Sequence, residues 1–123
     1  MTNRLTFLLL VSALVLSCEK DINVEQITYF QKITDTFDIK VLGCMDAGYV
    51  WYCENEESVN KVRIIRDTSF SVNPDVRGGY NYQVFTLVAE KSGKETLRFE
   101  EYQPWQKWKS IKSRIWVTVH IAE

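Results

Sequence analysis

The chain is short of the residues that most catalytic and metal chemistry draws on. It has one histidine, His120, and three cysteines, Cys18, Cys44 and Cys53, in 123 residues. A free catalytic thiol needs a histidine partner, and His120 lies in an alternating run that reads as a late strand. No Ser–His–acid set, metal-ligand cluster or carboxylate pair occurs at usable spacing. The sequence therefore predicts a protein that is not an enzyme, with no catalytic residue, no metal and no cofactor. Two prolines and five glycines leave no low-complexity tract, and no repeat is visible, which argues against disorder. A formal net charge of −1 offers no basic surface for nucleic acid. What the chain does have is aromatic residues: four Trp, six Tyr and six Phe, enough to core one small domain.

The N-terminus reads as a targeting segment. Met1 to Ser17 carries Arg4 and then the apolar run Leu5 to Leu16, a secretory signal too short for a comfortable membrane span. It ends in Val15-Leu16-Ser17-Cys18, which resembles the bacterial lipobox. That resemblance implies cleavage before Cys18, lipid on its thiol and an acyl chain on its new amine. Two or more chains hold a protein on a membrane where one is marginal. The expected organisation is a signal peptide at 1–17, a lipidated tether at 18–26 and one domain at 27–123. Glu19-Lys20-Asp21 is similar to the charged tag with which some Bacteroidota send lipoproteins to the surface, and it also reads as a plain solvated tether. The expected location is the envelope of a Gram-negative bacterium, on its periplasmic face or its surface.

The stretch Gly43 to Cys53 organises the rest. Phe37, Ile39 and Val41 alternate with Asp38 and Lys40 as a strand, and a short loop with Gly48 and a dense aromatic group follows. Gly48 is free to take a positive φ. With Cys18 lipidated, Cys44 and Cys53 remain, and an oxidising compartment predicts a disulfide between them. Closing so short a loop would stabilise by about 2–3 kcal/mol on the chain-entropy model.

Further strands are expected at Ile27–Phe30, Val62–Arg66, Tyr82–Glu90, Thr96–Glu101 and Ile115–Ile121, with an irregular stretch through Asn73-Pro74-Asp75. Gly78-Gly79 and Ser92-Gly93-Lys94 break the chain, and Gln103 to Trp108 forms a second aromatic loop. No convincing 3.6-residue period appears. Six or seven short strands predict an all-β fold, an immunoglobulin-like antiparallel β-sandwich.

Three loops then fall into a pattern. The chain resembles the chagasin-like inhibitors of papain-type cysteine proteases, over roughly residues 27 to 121. That family's first loop commonly reads Asn-Pro-Thr-Thr-Gly-Tyr-x-Trp, matched here by Cys44-Met45-Asp46-Ala47-Gly48-Tyr49-Val50-Trp51. Arg77-Gly78-Gly79-Tyr80 matches the glycine-rich middle loop, and Gln103-Pro104-Trp105 matches the Arg-Pro-Trp loop. Gly-Tyr-x-Trp is kept, whereas Cys-Met-Asp-Ala replaces Asn-Pro-Thr-Thr and Gln103 replaces arginine.

The resemblance implies a monomeric, reversible inhibitor whose partner is a papain-like cysteine protease. Its three loops, Met45 to Tyr49, Arg77 to Tyr80 and Gln103 to Trp105, would block the active-site cleft from one end of the sandwich. Met45, Asp46, Ala47 and Gly48 make a slim tip, and Trp105 has the profile of a binding anchor. Trp51 is expected in the core. Two other classes fit an aromatic lipoprotein: an adhesin or glycan-binding module using Trp105 and Trp108, and a structural subunit of an envelope complex.

Overall fold

The computed structural model describes residues 22–73, 75 and 79–123, with the side chain of Asp46 left undescribed. Seven strands form in chain order: β1 Asn23–Lys32, β2 Thr36–Gly43, β3 Val50–Cys53, β4 Val62–Ser71, β5 Asn81–Ala89, β6 Gly93–Tyr102 and β7 Ser113–Ala122. They make two facing sheets, one in the order β1-β7-β6-β3 and one in the order β2-β5-β4. This is the immunoglobulin-like sandwich expected from the alternating pattern.

The alternation decides the core. In β2, Phe37, Ile39 and Val41 point inward while Asp38 and Lys40 face solvent. In β7 the inward set is Ile115, Val117, Val119 and Ile121, and β6 adds Leu97 and Phe99. The sheets meet across the Phe85 and Phe99 rings, whose centroids lie 4.8 Å apart. Burying each such side chain contributes about 1.5–3 kcal/mol, so these rows hold the two layers together.

Polar ties between the layers were not legible as such. Gln83 on β5 is buried, takes a hydrogen bond from the Trp51 N–H at 3.0 Å and donates to the Trp51 carbonyl at 2.9 Å. Its amide also donates to Asp67 at 3.0 Å. One side chain thus satisfies both backbone groups of a β3 residue in the opposite sheet, groups that burial would otherwise leave unpaired. Within the first sheet, Asn55 extends the β3–β6 pairing just beyond β3, accepting from the Arg98 N–H and donating to the Thr96 carbonyl, each at 2.9 Å.

Several expectations need correction. β1 pairs with β7 in parallel, so the sandwich is not wholly antiparallel. β1 also begins at Asn23, inside the stretch read as tether, because its first residues are held by ladder hydrogen bonds while their side chains stay exposed. β4 does not end at Arg66 but pairs with β5 as far as Ser71 opposite Asn81, after an irregularity between Ile64 and Arg66. The Cys44–Cys53 disulfide is absent, and both thiols are free. The Tyr49 N–H bonds the Cys44 carbonyl at 3.2 Å, and Cys53 lies four residues further along β3. At about 3.3 Å per residue that puts the two cysteines roughly 13 Å apart, well beyond disulfide reach.

Strand register fixes which connections share an end. Gly43 closes β2 opposite Asn81, where β5 begins, and Val50 opens β3 opposite Tyr102, where β6 closes. The β2–β3, β4–β5 and β6–β7 connections therefore leave the sandwich at one end. The β5–β6 turn, with Gly93 at φ +129°, lies at the other.

Candidate functional site

The first connection is a single 3-10 turn, Met45–Ala47, closed by Gly48 in the left-handed region at φ +85°. The Gly48 N–H donates to the Met45 carbonyl at 2.8 Å, and the Ala47 N–H to that of Cys44 at 3.1 Å. Its base is held from below. The Cys44 N–H donates to the Glu101 carboxylate at 3.1 Å, and Glu101 is only 2% exposed. Gly43 permits this approach, since a Cβ there would lie 3.1 Å from that oxygen and 3.3 Å from the Trp51 ring. Trp51 is 3% exposed and its indole N–H donates to the Leu42 carbonyl at 3.0 Å, so it is a core residue, as expected.

The third connection leans on the first. The Gln103 amide donates to the Ala47 carbonyl at 2.9 Å. Trp105 is 68% exposed, yet its ring edge covers Gly48: a Cβ built on Gly48 would fall 2.3 Å from Trp105 Cη2. Glycine at 48 thus serves two needs, the left-handed backbone and the close indole. The departure from arginine at position 103 has a local use, because a glutamine amide is the right length to reach a neighbouring carbonyl. The loop is closed on itself by Ser110, whose hydroxyl accepts from the Gln103 N–H at 2.9 Å, and by the Gln106 N–H donating to the Gln103 carbonyl at 2.9 Å.

The middle connection extends the β4–β5 ladder. The Val72 N–H donates to the Tyr80 carbonyl at 3.0 Å, and the Tyr80 side chain is exposed. Gly79 is half-buried, while Arg77 and Gly78 lie outside the described residues. Of the expected binding residues, Met45, Ala47, Gly48, Tyr49, Gln103, Pro104 and Trp105 are gathered on two touching loops. Gly79 and Tyr80 share that end, and Asp46 is placed there by its backbone alone.

Lys112 was not expected to matter and sits under the first loop. Its ammonium donates to the Cys44 sulfur at 3.2 Å and lies 5.2 Å from the Tyr49 ring centroid. The bond to Cys44 raises the lysine pKa above its ordinary value. Its backbone N–H donates to the Glu101 carbonyl at 2.9 Å, joining the start of β7 to the same support. The Cys53 thiol is pushed up to about 11, chiefly by burial, and is a poor nucleophile at neutral pH. His120 stacks on Phe30 near the other end of β7, out of reach of the first loop. The tip offers slim backbone, indole and phenol surface braced from beneath, an arrangement for fitting into something.

Comparisons with known proteins point the same way. The family model described as Chagasin family peptidase inhibitor I42 matches residues 31–119. The crystal structure of the cysteine protease inhibitor EhICP2 from Entamoeba histolytica superposes with a TM-score of 0.62 at 19% identity, covering 81% of this chain and 96% of that one. PbICP-C, solved in complex with falcipain-2, gives 0.58 at 15% identity, covering 82% and 91%. The solution structure of Amebosin gives 0.56 at 14% identity, covering 82% and 99%. No curated protein sequence matches.

Proposed function

The chain belongs to the chagasin family of peptidase inhibitors, and from that premise we propose that it reversibly inhibits papain-like cysteine proteases by occupying the cleft. The observation that carries this reading is the tie between loops distant in sequence: Gln103 bonds Ala47 at 2.9 Å, and Trp105 covers Gly48. The first loop enters the groove beside the enzyme's reactive cysteine. Trp105 and Tyr80 lie on the flanking walls and supply large contact area at low rotamer cost. Because the loops are already bonded together before binding, little ordering entropy is lost on association, which favours slow dissociation. Inhibition is by exclusion of substrate from the cleft.

Titrating papain-like proteases with the full chain in detergent tests this. Stoichiometric, reversible inhibition of at least one enzyme is expected. Full activity of every enzyme at micromolar inhibitor would contradict it.

The N-terminal reading belongs with this function. Residues 1–17 serve as a lipoprotein signal and Cys18 as the lipid site, which keeps a monomeric inhibitor at the envelope; both segments lie outside the described residues. The lipobox resemblance supports it. Mass analysis of the N-terminal peptide is expected to find an acylated Cys18, lost in Cys18→Ser, and an unmodified cysteine would refute it.

A further inference from the structure

The N-terminal strand starts at the same end as the three connections. β1 runs parallel to β7 with Asn23 opposite Ser113, and the Asn23 N–H donates to the Lys112 carbonyl at 3.1 Å. Lys112 is the residue whose ammonium touches Cys44 in the first loop. Asn23 lies five positions after Cys18. At no more than about 3.6 Å per residue, a lipid on Cys18 holds this end within roughly 18 Å of the bilayer.

What this end turns toward the membrane includes a side-chain set that the inhibitory reading does not use. Trp108 is 73% exposed in the 3-10 turn Lys107–Ser110, which has no buried residue. Lys107 and Lys109 flank it, both exposed, and the Lys109 ammonium lies 5.7 Å from the Trp108 ring centroid. The connection from Gln103 to Lys112 carries three lysines and no acidic residue. An exposed indole between ammonium groups suits the bilayer interface: the ring settles at headgroup depth and the ammoniums meet lipid phosphates. Trp105 is engaged over Gly48, whereas Trp108 is 73% exposed.

The geometry points to a second membrane contact, in which Trp108, with Lys107 and Lys109, dips into the interface of an anionic phospholipid bilayer. This rests on the lipoprotein reading of Cys18 and goes beyond the inhibitory one. Surface residues of this kind bind lipid weakly alone, but the short tether raises their effective concentration at the membrane. The inhibitory end then rests at the membrane surface while no protease is bound, and it leaves the interface to engage one.

The test uses the full chain purified from membranes of a Gram-negative host, with the Cys18 peptide checked by mass. It is reconstituted into phosphatidylglycerol–phosphatidylcholine vesicles carrying a lipid spin-labelled near the headgroup. Indole fluorescence of the wild type is expected to be quenched. Trp108→Phe should lose at least half of the quenched signal, and Lys107→Glu with Lys109→Glu should lower it several-fold. An unquenched wild type, or equal quenching in Trp108→Phe, would overturn the contact. So would an unacylated Cys18, which the mass reading reports separately. If Trp108→Phe instead weakened inhibition in detergent with quenching unchanged, Trp108 would belong to the protease face and the inference would fail.

Discussion

Gly48→Ala separates the two demands placed on one residue. Gly48 has φ +85°, and a non-glycine residue there costs about 1–2 kcal/mol in backbone energy. For a domain of this size that lowers Tm by roughly 5–10 °C. The added methyl would also fall 2.3 Å from Trp105 Cη2 and 2.9 Å from Cζ3, so the indole must swing away. If Trp105 is an anchor worth about 2 kcal/mol, its displacement weakens inhibition roughly 30-fold. Gly93→Ala is the matched control. Gly93 also has a positive φ, +129°, but lies at the opposite end, where a Cβ meets only the flexible Lys61 side chain, 2.7 Å from Cε. Thermal unfolding and inhibition constants against one sensitive protease are measured for both variants. Similar losses of Tm are expected, with inhibition impaired only in Gly48→Ala. Equal inhibition constants for the two variants would refute the claim that the packed Gly48–Trp105 contact serves binding.

Trp105→Ala should weaken inhibition by about 2 kcal/mol while Tm changes little, since the ring is largely exposed; unfolding of the free protein would reassign it to the core. Dithiothreitol should leave the dissociation rate unchanged, because Cys44 and Cys53 are not joined; faster dissociation on reduction would reveal a functional disulfide. With a pKa of about 11, Cys53 is protonated below that pH, and at pH 8 only about one molecule in a thousand is thiolate, so iodoacetamide should label Cys44 first. Preferential labelling of Cys53, read by peptide mass, would contradict that burial. Gln83→Leu strands the Trp51 N–H and carbonyl between the sheets and should cost about 2–4 kcal/mol in urea unfolding. A loss under 1 kcal/mol would show that those groups find other partners.

Strand phase carried most of the fold. β2 and β7 alternate cleanly because each has one face on the core, and the three connections could be ordered from their turn residues. β1 and the far half of β4 were harder to see, since their pairing is made by backbone while their side chains are largely exposed. The supporting polar residues were missed for a different reason. Gln83 shares the phase of Phe85 and Leu87, and Glu101 that of Leu97 and Phe99, so alternation places both inward. For such residues phase is a better guide to burial than polarity. The disulfide was inferred from a count of thiols in an oxidising compartment. The extended strand Val50–Cys53 carries the second thiol away from the first. Lys112 could not have been found this way, because its role depends on the third connection returning beside the first.

Hydrogen exchange on the complex of the full chain with an inhibited papain-like protease tests the central claim most directly. Protection relative to the free protein is expected at Cys44–Tyr49, Gly79–Tyr80 and Gln103–Trp105 together, with the β5–β6 turn around Gly93 unchanged. Protection centred on the Gly93 end, or confined to one of the three loops, would contradict the account.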